Sequence, residues 1–180
     1  GGSELAAGEE TSQEGLALDY ATAWSYGRAE SWNLLIPDFM GGDSGRAFTR
    51  DGEMAKALKP YGLESFAEQL PAYWGEQPYT AGPTYLGAAA LFLALLGLLL
   101  ASGRNKWWIA AVSLLTLLLA WGHNFMGFTE FAFKYLPGYN KFRTVSMALV
   151  VVEWTVPLLA ALALMPLWRG EVPRRKLLRA

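Results

Sequence analysis

The stretch VSMALVVVEWTVPLLAALALMPLW, Val145–Trp168, decides how the rest of the chain is interpreted. It is longer than the about 20 apolar residues that a helix needs to cross a bilayer. Glu153 interrupts it, and a carboxylate in hydrocarbon costs several kcal/mol unless it is paired, protonated or hydrated. Pro157, four residues on, has no N–H for the carbonyl of Glu153. We therefore expect Glu153 to face protein inside a helix bundle, either in a polar cavity or bonded to another span.

Two further runs lack charged residues. The first contains Tyr85–Ala101, and the second extends over Trp107–Thr129 with an apolar body of 15 residues, Trp107–Trp121, before Gly122. Apolar residues cover every helical face of these runs, so no side is reserved for water. The alternative, buried helices of a water-soluble protein, would need a larger polar shell than residues 1–76 can form. The sequence thus predicts a mainly α, polytopic membrane bundle with three transmembrane helices.

Charge is divided unevenly along the chain. Residues 1–76 carry thirteen acids and five bases, a net charge of −8, whereas residues 77–180 carry three acids and ten bases, a net of +7. Because Lys and Arg favour cytoplasmic loops, the link with Arg104 and Lys106 and the basic tail 169–180 should be cytoplasmic. Residues 1–82 and 123–144 should then be extracytoplasmic, with the membrane region at 83–168 between the first segment and the tail. No nucleic-acid partner is expected.

The amino terminus and the residue counts narrow the class further. Residues 1–15 have neither a basic start nor an apolar stretch, so they are not a signal peptide, and we interpret the chain as an internal piece of a longer membrane protein. The chain has no Cys and one His. Disulfides, iron–sulfur ligation, thiol catalysis and a His-rich zinc site are therefore not expected.

The segment before the first apolar run predicts short helices and loops. Apolar spacing over residues 51–70 indicates two short amphipathic helices separated at Pro60–Gly62. Its aromatic residues include Trp24 and Trp32, which are candidates for stacking on a sugar or for binding lipid headgroups. The alternative is that these rings only pack the segment onto the membrane helices.

Basic and polar residues precede the last apolar run in PGYNKFRTVS. Lys141 and Arg143, with Tyr139 and Asn140, could hold a phosphate or pyrophosphate. The alternative is that the two cations only anchor the chain at headgroup level.

The acid-x-acid pair Asp51 and Glu53 could share a divalent cation, although acids at the start of a helix also favour its dipole. No metal ligand is assigned from this pair.

Several blocks resemble a central segment of the bacterial YfhO-type membrane proteins. They are LDYATAWSYG, LLIPDFMGG, YWGEQPYTAGPTYLGA, KWW, WGHNFMGFTEF and LPGYNKFRTVSMALVVVEWTVPLLAALAL. The last block is the most specific. The resemblance covers most of residues 16–165 and is poor over residues 43–70.

The resemblance implies a GT-C-like glycosyltransferase that moves a sugar from a polyprenyl-phosphate carrier to a cell-envelope acceptor at the bacterial cytoplasmic membrane. The full-length protein would supply further spans, the catalytic carboxylate and, where needed, a divalent cation. No catalytic residue is transferred to this chain, and YNKFR and Glu153 are carried over only as members of matching blocks. Two alternatives stay open: a transporter or flippase component that works through Glu153, and a non-catalytic scaffold that uses the aromatic rings.

Overall fold

The computed structural model describes residues 16–43, 45–78, 84–141 and 143–170. These residues form six α-helices, joined by 3₁₀ helices and loops. The helices are α1 (Leu18–Ala21), α2 (Glu53–Leu58), α3 (Ala88–Leu100), α4 (Asn105–Ala120), α5 (Met126–Tyr135) and α6 (Leu149–Trp168). Predictions for residues 1–15 and for the basic tail after Gly170 lie outside the described residues.

Short helices alternate with loops in the first segment, residues 16–78, as predicted. A 3₁₀ helix, Ala29–Leu34, follows α1, and α2 continues into a 3₁₀ turn at Lys59–Tyr61. Gly62, at a φ of +68°, separates this part from the 3₁₀ helix Glu64–Gln69. Isolated antiparallel bridges join Gly41 to Tyr73 and Ala47 to Pro71, so the end of the segment returns to its middle.

Helices α3 and α6 pack closely because small residues face each other. Gly97 of α3 is buried, and a Cβ placed there would lie 2.1 Å from the carbonyl oxygen of Leu159 and 3.5 Å from the backbone nitrogen of Ala163. Ala163 is fully buried. Small residues let helix backbones approach in this way when dispersion, rather than the hydrophobic effect, holds helices together.

Helix α4 packs against the neighbouring side of α6. The Ser113 hydroxyl donates a 2.6 Å hydrogen bond to Thr155 Oγ1, which in turn donates to the carbonyl of Val151. The buried apolar residues of the helices form one cluster with a residue of the first segment: Tyr26, Ala94, Ile109, Ala120, Leu149, Val152, Val156, Leu159 and Ala160. The first segment and the helices therefore share one core.

The described polar loops collect at the two ends of the helices. At one end, the backbone N–H of Tyr26 donates to the carbonyl of Ala120 over 2.8 Å, and that of Leu86 donates to Leu34 over 3.2 Å. At the other end, Lys106 Nζ donates to the carbonyls of Leu98 and Ala101, at 2.6 and 2.7 Å, and so satisfies the terminus of α3. The first segment is thus placed on the opposite end of the bundle from the basic link.

The prediction of three transmembrane helices is wrong. Within the described residues, Val145–Trp168 is the one helix long and apolar enough to cross a membrane, and a second exists only if the bent pair Asn105–Ala120 and Gly122–Tyr135 counts as one span. Helix α3 has 13 residues because Gly87, at a φ of +95°, precedes its start and Ala101 is extended. That length is about 20 Å, short of a hydrocarbon layer of about 30 Å. The helix axis turns by 112° within the bent pair.

Candidate functional site

Arg143 lies against two aromatic rings of the first segment. Its guanidinium carbon is 5.3 Å from the centre of the Tyr20 ring and 5.8 Å from that of Trp24. Trp24 is held in place because its indole N–H donates to the carbonyl of Pro78 over 3.1 Å, and its own carbonyl accepts from the N–H of Ser146 at 3.4 Å. The structure therefore brings together two of the predicted site residues, Trp24 and Arg143, and adds Tyr20.

The guanidinium of Arg143 keeps its hydrogen-bonding edge open. Arg143 is exposed, and within the described ranges its side chain makes no hydrogen bond or ion pair. A cation over a ring face is attracted to the π electrons while its N–H groups can still bind a planar or tetrahedral anion. The two rings thus fix the position of a positive charge without neutralising it.

The residues before Arg143 in the same loop differ in their contacts. Tyr139 is buried, and its hydroxyl donates to the carbonyl of Leu119 over 2.9 Å. Burial raises the pKa of Tyr139 to about 12. The carbonyl of Asn140 accepts from the N–H of Leu16 at 2.9 Å. The ammonium group of Lys141 is exposed and has no hydrogen-bond or ion-pair partner in the part of the chain that the structure describes.

An apolar groove of about 340 Å³ lies beside this segment, between the loop before α6 and the first turns of α6. Its walls are almost entirely carbon, with Thr144 and Tyr139 as the polar members. The lining residues are Leu119, Leu136, Pro137, Tyr139, Thr144, Val145, Met147, Ala148, Val150 and Val151. Lys141 and Arg143 belong to the same loop that forms one wall of the groove. Neither lines the groove itself, and the Arg143 guanidinium lies over the rings of Tyr20 and Trp24.

The other two predicted site residues lie elsewhere. Trp32 is 55% exposed, and the centre of its ring lies 6.4 Å from that of Phe39 in the first segment. Glu153 lies on the exposed side of α6. The sequence predicted that it faces protein, in a polar cavity or bonded to another span; the described residues supply neither, so this stays a prediction. Because α6 is apolar on all sides, periodicity cannot show which side packs against α3 and α4.

A buried carboxylate in the first segment escaped the sequence-based prediction. Glu30 is 1% exposed, and its two oxygens accept from the N–H of Gly27, at 2.5 Å, and from the hydroxyl of Tyr73. Tyr26 donates to the carbonyl of Glu30 over 2.7 Å. Burial, with Glu30 as the nearby charge or hydrogen-bond partner, raises the pKa of Tyr26 and Tyr73. The bond from Tyr73 to Glu30 joins residues 43 positions apart in the sequence, so no local sequence pattern indicates this network.

A second polar group surrounds Asn124 at the end of α4. Asn124 Nδ2 donates to Glu76 Oε2 at 2.6 Å and to the carbonyl of Tyr26 at 3.1 Å. Arg28 donates to the Asn124 carbonyl and lies 5.9 Å from the centre of the Trp121 ring. These bonds tie the first segment to the end of α4, and we assign them a structural role.

The remaining chemical candidates are bonded locally. Glu53 forms an ion pair with Lys56 at 2.7 Å and is highly exposed, as expected of an acid in the first turn of a helix. His123 Nδ1 lies 3.2 Å from the carbonyl of Thr22, and the backbone N–H of His123 donates to Ser25 Oγ. No group of three or more potential metal ligands occurs among the described residues.

No protein-family model matches the chain, and searches of curated proteins and of solved structures returned no similar protein.

Proposed function

We propose that the chain is part of a membrane protein that binds a lipid-linked phosphate and takes part in transferring the attached sugar to an envelope acceptor. The sugar-transfer chemistry follows from the resemblance of LPGYNKFRTVSMALVVVEWTVPLLAALAL and the earlier blocks to YfhO-type proteins. Within this chain, the proposed role is holding the lipid carrier. The base that activates the acceptor would come from outside it.

The observation that carries the proposal is that one loop bears two cations without ion-pair partners among the described residues and also forms a wall of an apolar groove. We propose that the part of the lipid chain nearest the phosphate occupies this groove of about 340 Å³, which is lined by carbon. The phosphate would then meet Arg143 and Lys141, which belong to the loop that borders the groove. A guanidinium binds phosphate through paired N–H groups, and such cations also stabilise the charge of a departing phosphate.

Membrane placement is supported by the surfaces of the helices. Large apolar side chains of α3, α4 and α6 are more than half exposed: Phe92, Leu95, Leu99, Trp107, Trp108, Leu114, Val150, Trp154, Leu164, Met165 and Trp168. A soluble monomer rarely exposes an apolar surface of that extent. Trp107 and Trp108 begin α4 and Trp168 ends α6, as interfacial tryptophans do. The side that holds residues 16–78 would be extracytoplasmic, opposite the basic link.

Binding of photoreactive polyprenyl phosphate to the chain in nanodiscs tests the proposal. We expect Arg143→Gln and Lys141→Gln each to weaken crosslinking about tenfold, because a hydrogen bond to a charged group contributes about 1.5 kcal/mol or more. Arg46→Gln is the matched control, since Arg46 is an exposed arginine of the first segment paired with Asp38.

A second comparison separates the phosphate from the lipid chain. Val150→Phe narrows the groove and should weaken binding of both polyprenyl phosphate and uncharged polyprenol, whereas the two Gln variants should affect the phosphate alone. Equal binding of polyprenyl phosphate by the Gln variants and by Arg46→Gln would overturn the site.

A further inference from the structure

Helix α6 has two unlike sides. One side packs into the core through residues that include Leu149, Val156 and Leu159. The other is exposed and apolar, with Val150, Trp154, Leu158, Leu164 and Met165 each at least 47% exposed. Glu153 lies on this second side, next to Trp154, which is 75% exposed.

This exposed side carries unmatched hydrogen-bond acceptors. The Glu153 carboxylate has no hydrogen bond or ion pair within residues 16–43, 45–78, 84–141 and 143–170. Pro157 cannot donate to the Glu153 carbonyl, which leaves a second acceptor at the same level. Lys106 is the one other charged residue of α3, α4 and α6, and it is bonded to the carbonyls of Leu98 and Ala101.

The depth of Glu153 makes these acceptors costly. Glu153 is fifteen positions before Trp168, or about 22 Å along the helix, and so lies about 8 Å inside the other face of a hydrocarbon layer of about 30 Å. A carboxylate facing lipid costs several kcal/mol at the bilayer centre and less towards a face, and a cation on another helix removes that cost by pairing with it. A second copy of this chain does not offer that cation, because its α6 would bring another Glu153.

We propose that the Glu153 side of α6 is the docking surface for a further transmembrane helix that carries a lysine or arginine at the level of Glu153. The apolar side chains around Glu153 supply the packing surface, and the carboxylate selects a partner by its positive charge. The proposal rests on the membrane placement of α6, and Val150 belongs both to this side of the helix and to the wall of the groove.

Site-specific photocrosslinking in native membranes tests this proposal. A benzophenone amino acid replaces Leu158 on the proposed surface or Leu95 on the outer side of α3, which is 60% exposed and serves as control. We expect Leu158 adducts with a transmembrane peptide that contains Lys or Arg, and lipid adducts from Leu95. Glu153→Lys should reduce the protein adduct at least tenfold, and changing the partner's base to Glu should restore it.

Glu153→Gln is the control for misfolding, because glutamine keeps a hydrogen-bond acceptor. It should reduce the protein adduct only about threefold, and the helices should be as well protected from protease as in the wild type. Adducts with lipid alone, with a second copy of the chain or with a helix lacking a base overturn the proposal, as does a protein adduct insensitive to Glu153→Lys. Lipid adducts at both positions would leave the membrane placement intact. A lack of both lipid and protein adducts at both positions would contradict that placement as well.

Discussion

The first segment and the long helices distribute polar and apolar groups in opposite ways. Residues 16–78 bury Glu30, Asn33 and Ser25 almost completely, and each of these side chains makes at least one hydrogen bond. The long helices instead expose Trp107 and Trp154, at 61% and 75%. In water, a buried polar group must be bonded and an exposed apolar one is unfavourable, whereas hydrocarbon removes the second penalty.

The difference teaches that the two regions are stabilised by different interactions. Hydrogen bonds between distant residues order the first segment, as between Tyr73 and Glu30. Close backbone approach at Gly97 and the bonds from Ser113 to Thr155 and from Lys106 to Leu98 join the described helices. Substitutions in the first segment should therefore lower stability by removing hydrogen bonds of buried polar groups. Substitutions in the long helices should lower it by changing the distance between helix backbones.

The largest effect is expected from Gly97→Leu. Its Cβ would meet the Leu159 carbonyl at 2.1 Å, so the two helices must separate. We expect a loss of about 4 kcal/mol of unfolding free energy in detergent, above the about 1–3 kcal/mol typical of overpacked cores, because the clash involves backbone. Gly127→Leu in α5 is the control, since nothing lies within 4 Å of its Cβ position. Equal stability of the two variants would refute close packing at Gly97.

Glu30→Ala should produce the next largest effect, confined to the first segment. It leaves the Gly27 N–H and the Tyr73 hydroxyl without their acceptor, at a cost of about 3 kcal/mol. Hydrogen exchange should accelerate most over residues 16–78 and less in α6, which shares a core with Tyr26. Glu64→Ala, at an exposed acid of the same segment, is the control. Equal acceleration in α6 would show that the Glu30 network does not act mainly on the first segment.

Alkaline pH should weaken the contact between the loop before α6 and α4. The pKa of Tyr139 is raised from 10.0 to about 12, so the neutral hydroxyl is favoured in the folded state. Its contribution is full below pH 10 and is lost as the pH rises through 10 towards 12. Tyr139→Phe should start about 1 kcal/mol less stable, because it lacks the bond to Leu119, and should lose less stability over that range. Tyr61→Phe, at an exposed tyrosine, should behave as the wild type does.

The smallest effect is expected from the Ser113–Thr155 bond. A double-mutant cycle with Ser113→Ala and Thr155→Val should give a coupling energy of about 0.6 kcal/mol, the average for hydrogen bonds between membrane helices. Unfolding in detergent measures it. A coupling well above about 2 kcal/mol would mean that polar bonds, rather than close packing, hold α4 against α6.

The sequence was sufficient to locate the apolar helices but not their lengths. Val145–Trp168 is helical along its whole length, as a 3₁₀ turn at Val145–Ala148 that continues into α6 with Pro157 and Pro166 inside it. The positive φ at Gly87 and the extended Ala101 shorten α3, and both are single backbone conformations that an apolar run does not encode. The chain also turns at Gly122, where a Cβ would lie 2.0 Å from Ser25 Oγ.

The candidate site was predicted only in part, because its contacts also depend on conformation and not on residue type. Residue type alone identified Arg143 and Lys141 as available cations. The contact of Arg143 with Tyr20 and Trp24 joins residues more than a hundred positions apart, and no periodicity in the sequence reports such a contact. The exposed position of Glu153 depends on which side of an all-apolar helix packs, which is decided by small residues such as Gly97 on α3.

Spin labels at two single cysteines test most directly whether the two regions lie in different solvents. The chain has no native Cys, so Leu158→Cys on α6 and Tyr61→Cys in the first segment each give one label. In bilayers, we predict that the label at Leu158 collides mainly with oxygen and the label at Tyr61 mainly with a water-soluble nickel chelate. A Leu158 label that is as accessible to the nickel chelate as the Tyr61 label would contradict the account.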